Sequence, residues 1–413
     1  MNFSYAYTPT QQLLLACSLN PSCPKNQAVI KDLLDLPIDW TLFLRKAAYL
    51  GIIPSCHCHL ELFSKRIPHF VSKQLSEAFL FNSVRNRALW NCFQTVQAAF
   101  QAAGIDLLPL KGPVLGYILY SRFNQRRSSD LDILVKNKQV DQCQEVLGEL
   151  GYSPAKQPYS EEFIKKYLRH RAYSHTSKKM ILCSAIEIHW NLYTQGSQEF
   201  DMHALWDTAV SFKIENKSVL SPSYTFTLIY LAVGLRIHGY QRFWYLRDIH
   251  VLLTEYKDKI DWPYVLIQVK LNKQKTALFY ALHLSRKLFK TSVPSRILKQ
   301  LKPGWLRHRI VTFLVNPERI LSLKQDFNSL FLSDMINLLT VDTFIDVLRS
   351  VYEILFVRTD DMLGRYLKQD EKNKFSLPSY LQPFYLLGIL IRKSSLQIKK
   401  LFSSSDRKNR LIQ

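Results

Sequence analysis

Glycine is scarce in this chain, with 12 among 413 residues. That shortage excludes collagen-like and glycine-rich repeat architectures and argues against a β-sandwich built on many tight turns. Leu/Ile/Phe/Lys-rich stretches take their place and favour helix. Long apolar runs are missing too. The strongest late candidate, "YLQPFYLLGILI" (380–391), falls short of the roughly 18–20 residues a bilayer span requires and contains Pro383. It reads as a buried helix.

Acidic residues are the third shortage. Asp and Glu total 33 against 55 Lys and Arg, a net charge of +22. Such a surface disfavours cationic partners and favours polyanions or anionic membranes. The excess concentrates in the C-terminal half, where 286–309 and 392–410 are dense in Lys and Arg and nearly free of acids. Each run is either a solvated helix face or a contact surface for an anionic partner.

Cysteines are few and irregular: Cys17, Cys23, Cys56, Cys58, Cys92, Cys143 and Cys183. Their odd number, behind an opening without a basic leader region, predicts free thiols in a reducing cytoplasm. "SCHCHLELF" brings together Cys56, His57, Cys58 and His59. A structural zinc site needs ligand pairs spaced by two or more residues and a second pair downstream. No matching pair follows, so this stretch reads as an incidental loop-to-helix segment.

What remains is an apolar share of 47%, enough for real cores in a chain of this length. Residues 1–71 read as helical and connective. A long helix is expected over 72–103, stopped by Gly104. "IDLLPLK" reads as a short buried strand and "GPVLGYILYSRF" as a helix with Gly112 at its entry and Pro113 in its first turn. "DLDILV" reads as a strand, "NKQVDQCQEVLGELG" as a helix, and "KMILCSAIEIHWNLY" as further strand. From about 222 onward amphipathic helical stretches dominate. The expected organisation is α+β: an N-terminal helical segment (1–71), a mixed α/β core (72–221) and a C-terminal helical region (222–413).

Three pieces of the core carry chemistry. Lys111–Gly112 joins a strand directly to a helix whose first amides are free to bind an anion, with Gly112 allowing close backbone approach and Lys111 adding charge. Asp130 and Asp132, one residue apart in "RRSSDLDILV", are expected to project from one face of a strand. Two carboxylates there repel unless a cation sits between them, and clustered oxygens suit magnesium. Glu187 and His189 share the polar face of "AIEIHW", opposite Ile186, Ile188 and Trp190. Taken singly, each piece also fits an ordinary turn, a solvated strand start or a surface strand face.

Together, "IDLLPLKGPVLGYILY", "RRSSDLDILV", "VLGELGY" and "IEIHWNLY" resemble the nucleotidyltransferase superfamily, most closely its uncharacterised "family 5" branch. "LAVGLRIHGYQRFWYLRDIHVLL", with His238, Trp244 and Asp248, is similar to that branch's helical region. The superfamily usually has Gly-Ser where this chain has Lys111–Gly112, and the branch shares Lys-Gly. The resemblance implies a small mixed-sheet catalytic core. It also implies Mg²⁺-dependent transfer of a nucleoside monophosphate from an NTP, with ATP the expected donor, to an unidentified acceptor, releasing pyrophosphate. Asp130 and Asp132 would hold one or two Mg²⁺ ions, and Glu187 would complete the second metal site or act as the base that deprotonates the acceptor. Lys111, Gly112, Arg127 and His189 would serve the nucleotide. His238, Arg247 and Asp248 would either line the cleft or form a structural cluster, and His170 and His175 would edge it. The competing readings are a non-catalytic RNA- or partner-binding module and a metal-dependent phosphodiester hydrolase.

Overall fold

The computed structural model describes residues 7–19, 24–156, 161, 164–175, 185–192, 200–322, 327–357 and 382–392. Helices α1 (Pro9–Ala16), α2 (Pro24–Leu33), α3 (Trp40–Leu50), α4 (Ile53–Leu60) and α5 (His69–Ala102) come first. The end of α5 follows the expected glycine stop. Gly104 adopts φ +69°, its N–H bonds the carbonyl of Gln101, and the N–H of Ile105 bonds that of Phe100. That double closure satisfies carbonyls a helix end otherwise leaves open.

An alternating segment follows: β1 (Leu107–Pro109), α6 (Gly112–Tyr120), β2 (Leu131–Val135), α7 (Val140–Glu149), β3 (Tyr152–Pro154), β4 (His170–His175) and β5 (Ala185–His189). These strands form one sheet in the order β1-β2-β5-β4-β3. β2 and β5 run parallel, and the other neighbours are antiparallel. A helix α8 (Met202–Asp207) and a two-stranded hairpin, β6 (Val210–Ile214) with β7 (Lys217–Ser221), lead into the helical half. There α9 (Tyr224–Ile237), α10 (Phe243–Glu255), α11 (Trp262–Leu271) and α12 (Lys275–Phe289) are followed by further helices reaching Tyr352. The architecture is α+β, a small mixed sheet among many helices.

Strand alternation divides the sheet's two faces between two cores. Ile133, Val135, Ile186 and Ile188 are fully buried with Phe93, Phe100 and Cys143 from α5 and α7. Each such apolar side chain contributes about 1.5–3 kcal/mol on burial. Leu134, on the opposite face, joins Leu108, Phe226, Leu231 and Leu246 in a larger core shared with the N-terminal helices. Asp132 lies on the Leu134 face. The polar positions of β2 and β5 therefore point into the junction between the sheet and the helical half.

β3, β4 and the β6–β7 hairpin lie where the sequence offered no clear strand signal. Part of "KMILCSAIEIHWNLY", the "MLGRY" stretch and most of the 392–410 basic run lie outside the described residues. The 382–392 stretch is helical, with Leu386 buried but Phe384 66% and Ile391 61% exposed among the described residues. The expectation of a wholly buried helix is corrected accordingly. The Cys56–His59 cluster occupies successive positions of α4, which point in different directions around a helix. There His59 is fully buried and bonds the carbonyl of Leu19 at 3.1 Å. Cys17, Cys56, Cys58 and Cys143 are free thiols, but Cys92 is disulfide-bonded, which corrects the expectation of a free thiol at that position.

Candidate active site

The parallel register of β2 on β5 sets Asp132 beside Glu187 and Leu134 beside His189. Since both strands expose alternate residues to the same side, Asp132, Glu187 and His189 converge. One ligand atom from each lies within 4.8 Å of the other two, the one such metal-compatible group among the described residues. His189 Nε2 is 3.2 Å from Asp132 Oδ1 and 3.4 Å from Glu187 Oε2. The His170 ring stacks on His189, centroid to centroid 5.1 Å, because β4 pairs antiparallel with β5 and sets the two histidines side by side.

Lys111 completes the cluster. Its ammonium is 2.7 Å from Asp132 Oδ1, while the Asp132 side chain is wholly buried. Burial alone would raise the Asp132 pKa, but Lys111 and His189 outweigh it and hold the carboxyl well below its usual range. Glu187 is lowered by its hydrogen bond with His189, against burial and the neighbouring Asp132 charge. Burial works to lower His189, yet its bonds to both carboxylates leave it raised. Asp132 Oδ2 is buried without a hydrogen-bond partner. An orphaned carboxylate oxygen beside a second carboxylate is what a hard divalent cation would satisfy. The donor set of two carboxylates and an imidazole suits magnesium through its oxygens and also admits manganese.

Asp130 stands differently from the expectation that it shares a strand face with Asp132. It precedes β2, is half-buried, accepts a bond from Ser129 Oγ at 3.1 Å, and is not part of the converging group. Its pKa is raised by burial and by Asp132, with Lys111 opposing.

Asp130 instead edges a cleft of about 450 Å³ lined by Lys111, Gly112, Arg127, Ser128, His238 and Arg242. Gly112 has φ +74°, and a Cβ there would lie 3.1 Å from the Asp130 carbonyl oxygen. The tight turn against the aspartate loop thus requires glycine. No side chain caps α6, whose first residue Gly112 lines the cleft, so the first-turn N–H groups other than at Pro113 lack a side-chain partner. Ser128 Oγ is buried without a partner. His238 is exposed at the cleft, and its partial desolvation and the charges of Arg242 and Lys111 lower its pKa.

Of the outer candidates, Arg127 is exposed on the cleft wall and His238 lines it. Asp248 and Arg247 are structural. Arg126 Nε donates to Asp248 Oδ2 at 2.9 Å, both buried, and the half-buried Tyr120 donates to Asp248 Oδ1 at 2.7 Å. Arg247 donates to the carbonyls of Ser18 and Gln125 and to Ser55 Oγ. His175 packs on Tyr152 at the far edge of the sheet. Sequence reasoning missed Arg126, which anchors the aspartate loop to α10, and the α3–α4 turn. There Gly51 (φ +70°) lies against Trp244 and closes the cleft.

A carboxylate group on adjacent strands beside a glycine turn and a basic cleft defines a phosphoryl- or nucleotidyl-transferring class of protein. The comparison with known families agrees: residues 37–290 match a family described as an uncharacterised nucleotidyltransferase. The chain belongs to that family and is an enzyme of the transferases of phosphorus-containing groups. No curated protein and no solved structure matches it. No described helix is long and apolar enough to cross a membrane.

Proposed function

We infer that the protein transfers a nucleoside monophosphate from an NTP, ATP by preference, to an acceptor in a Mg²⁺-dependent reaction. The observation that carries this is the Asp132–Glu187 register, which aligns two carboxylates and leaves Asp132 Oδ2 unpartnered next to the Gly112 turn. Asp132 and Glu187 would hold the cation, with Asp130 at the cleft edge as a further oxygen ligand. When bound, the ion would neutralise charge developing on the phosphate oxygens.

The chain's own residues do the rest. The uncapped amides of α6, the Ser128 hydroxyl and the charges of Lys111, Arg127 and Arg242 favour the triphosphate tail in the 450 Å³ cleft. In the transfer, a lone pair of the acceptor forms a bond to the α-phosphorus. The bond from that phosphorus to the α–β bridging oxygen breaks, and pyrophosphate leaves with the electron pair. The acceptor proton passes to water. His189, bonded to both carboxylates, keeps Glu187 ionised for ligand duty and fixes its orientation.

The test uses purified full-length protein with Mg²⁺ and α-labelled NTP, offered a cell extract of acceptors. Label should appear on an acceptor or on the protein itself. The Asp130→Asn/Asp132→Asn double variant should fold and label nothing. Labelling equal to the parent would overturn the assignment. Salt-sensitive RNA binding that survives both changes, with no transfer by the parent, would favour a binding module.

A further inference from the structure

A second and larger cleft, of about 910 Å³, opens where β2 and β5 end. It belongs to neither the carboxylate group nor the basic cleft at Gly112. Four cationic side chains line it, Lys136, Lys138, Lys165 and Arg169. Lys138 and Lys165 are exposed, Lys136 pairs with Asp106 at 2.6 Å and Lys165 with Asp141 at 3.3 Å. Asp201 and the half-buried Trp206 form the opposite side, with Lys136 Nζ 5.4 Å from the Trp206 ring.

One lining residue ties this cleft to the carboxylates. Asn191 comes two positions after His189, as His189 comes two after Glu187. It is only 8% exposed, and its Oδ1 is buried without a hydrogen-bond partner. A buried amide oxygen left unsatisfied costs free energy unless a ligand donates to it. The donor it calls for is an O–H or N–H group, which is what the nucleophile of a nucleotidyl acceptor carries.

Resting on the transferase reading, we propose that this cleft is the acceptor site and that its ligand is a phosphorylated sugar. The phosphate is met by Lys138, Lys165 and Arg169. Sugar hydroxyls donate to Asn191 Oδ1 and the Asp201 carboxylate, and the apolar face of the ring lies on Trp206. The volume fits a small molecule of this kind, since ligand cavities run from about 300 to 1,000 Å³. Two carboxylates among the cations, Asp201 and Asp207, suit a hydroxyl-rich ligand better than a polyanionic backbone, so a polynucleotide is the less favoured occupant. The donor enters from the Gly112 cleft and the acceptor from the opposite end of the same strand pair, with Asp132 and Glu187 between them.

Calorimetric titration of the full chain with ribose 5-phosphate, ribose, inorganic phosphate and a ten-nucleotide RNA tests this, with α,β-methylene ATP titrated separately. Ribose 5-phosphate should bind, with ribose and phosphate each weaker by about tenfold or more, the size of one lost charge-assisted contact. The exposed pair change Lys138→Glu/Lys165→Glu should weaken ribose 5-phosphate by at least about tenfold while leaving the ATP analogue within about twofold. Asn191→Leu should weaken ribose and ribose 5-phosphate alike. Absence of sugar-phosphate binding, indifference to the charge reversal, or RNA bound in preference to the sugar phosphate would each overturn the proposal. Sugar phosphate bound and charge-sensitive, but ATP analogue not bound and no label transferred, would sink the transferase reading and the acceptor role with it, leaving a sugar-phosphate site.

Discussion

Lys111 Nζ sits 2.7 Å from Asp132 Oδ1, so the lysine of the glycine turn is paired with the buried aspartate of the next strand. The sequence places Lys111 at the nucleotide phosphates. In the structure its ammonium also pairs with a carboxylate, and it lies where a cation shared with Glu187 would compete with it.

Lys111→Met should therefore destabilise the protein by about 2–4 kcal/mol, because a buried carboxylate is left uncompensated. It should also make stability more responsive to divalent ions, since MgCl₂ or MnCl₂ would then supply the missing charge. Urea unfolding with and without each salt measures both effects. A variant stabilised by the ions no more than the parent would mean that these carboxylates hold no cation.

Glu187→Gln keeps the side chain's shape and removes its charge. Transfer should fall by at least about 100-fold, the usual cost of losing a group that stabilises charge in the transition state. The unfolding midpoint should move little, since the side chain is 31% exposed. Labelling rates and denaturation curves measured on one preparation separate the two.

The Arg126–Asp248 pair makes a stability prediction. Both side chains are buried, at 6% and 1% exposure. Arg126→Met should cost about 3–5 kcal/mol by leaving Asp248 charged and bonded only to Tyr120. Adding Asp248→Leu should cost clearly less than the sum of the two single changes, a non-additivity that a double-mutant cycle reads directly.

Two buried histidines set the acid response. His59 and His250 are each pushed down to about 4, chiefly by burial. Between about 6.5 and 4 the unfolded chain binds protons that the folded chain refuses. Stability should thus be full above pH 7 and fall as pH drops through that window, by about 1 kcal/mol per pH unit for each histidine. Equilibrium unfolding from pH 7.5 to 4.5 shows the slope, and His250→Asn should reduce it. A flat profile would mean that these rings titrate normally.

Much of the site was legible because it is local. Alternation alone put Glu187 and His189 on one face, and the Gly112–Pro113 pair marked a helix entry. Pairings across sequence were not legible. The Arg126–Asp248 bond spans 122 residues, and neither residue carries a local signal naming the other. Asp130 and Asp132 were read as one strand face, whereas β2 begins at Leu131 and leaves Asp130 in the preceding loop. The strand at His170–His175 gives no strand signal because four of its six residues, His170, Arg171, Ser174 and His175, are polar or charged. Yet it sets His170 against His189 and so adds a ring to the cluster. The helical half was readable as helix, but its part in closing the cleft with Trp244 depended on the α3–α4 turn far upstream.

The parity of β5 carries a liability that no surface change would share. Deleting a single residue between Ala185 and Glu187 would carry Ile188 to the place beside Asp132 and turn Glu187 into the apolar layer under α5. Natural variation in length should accordingly collect in the connections on either side and spare this five-residue segment.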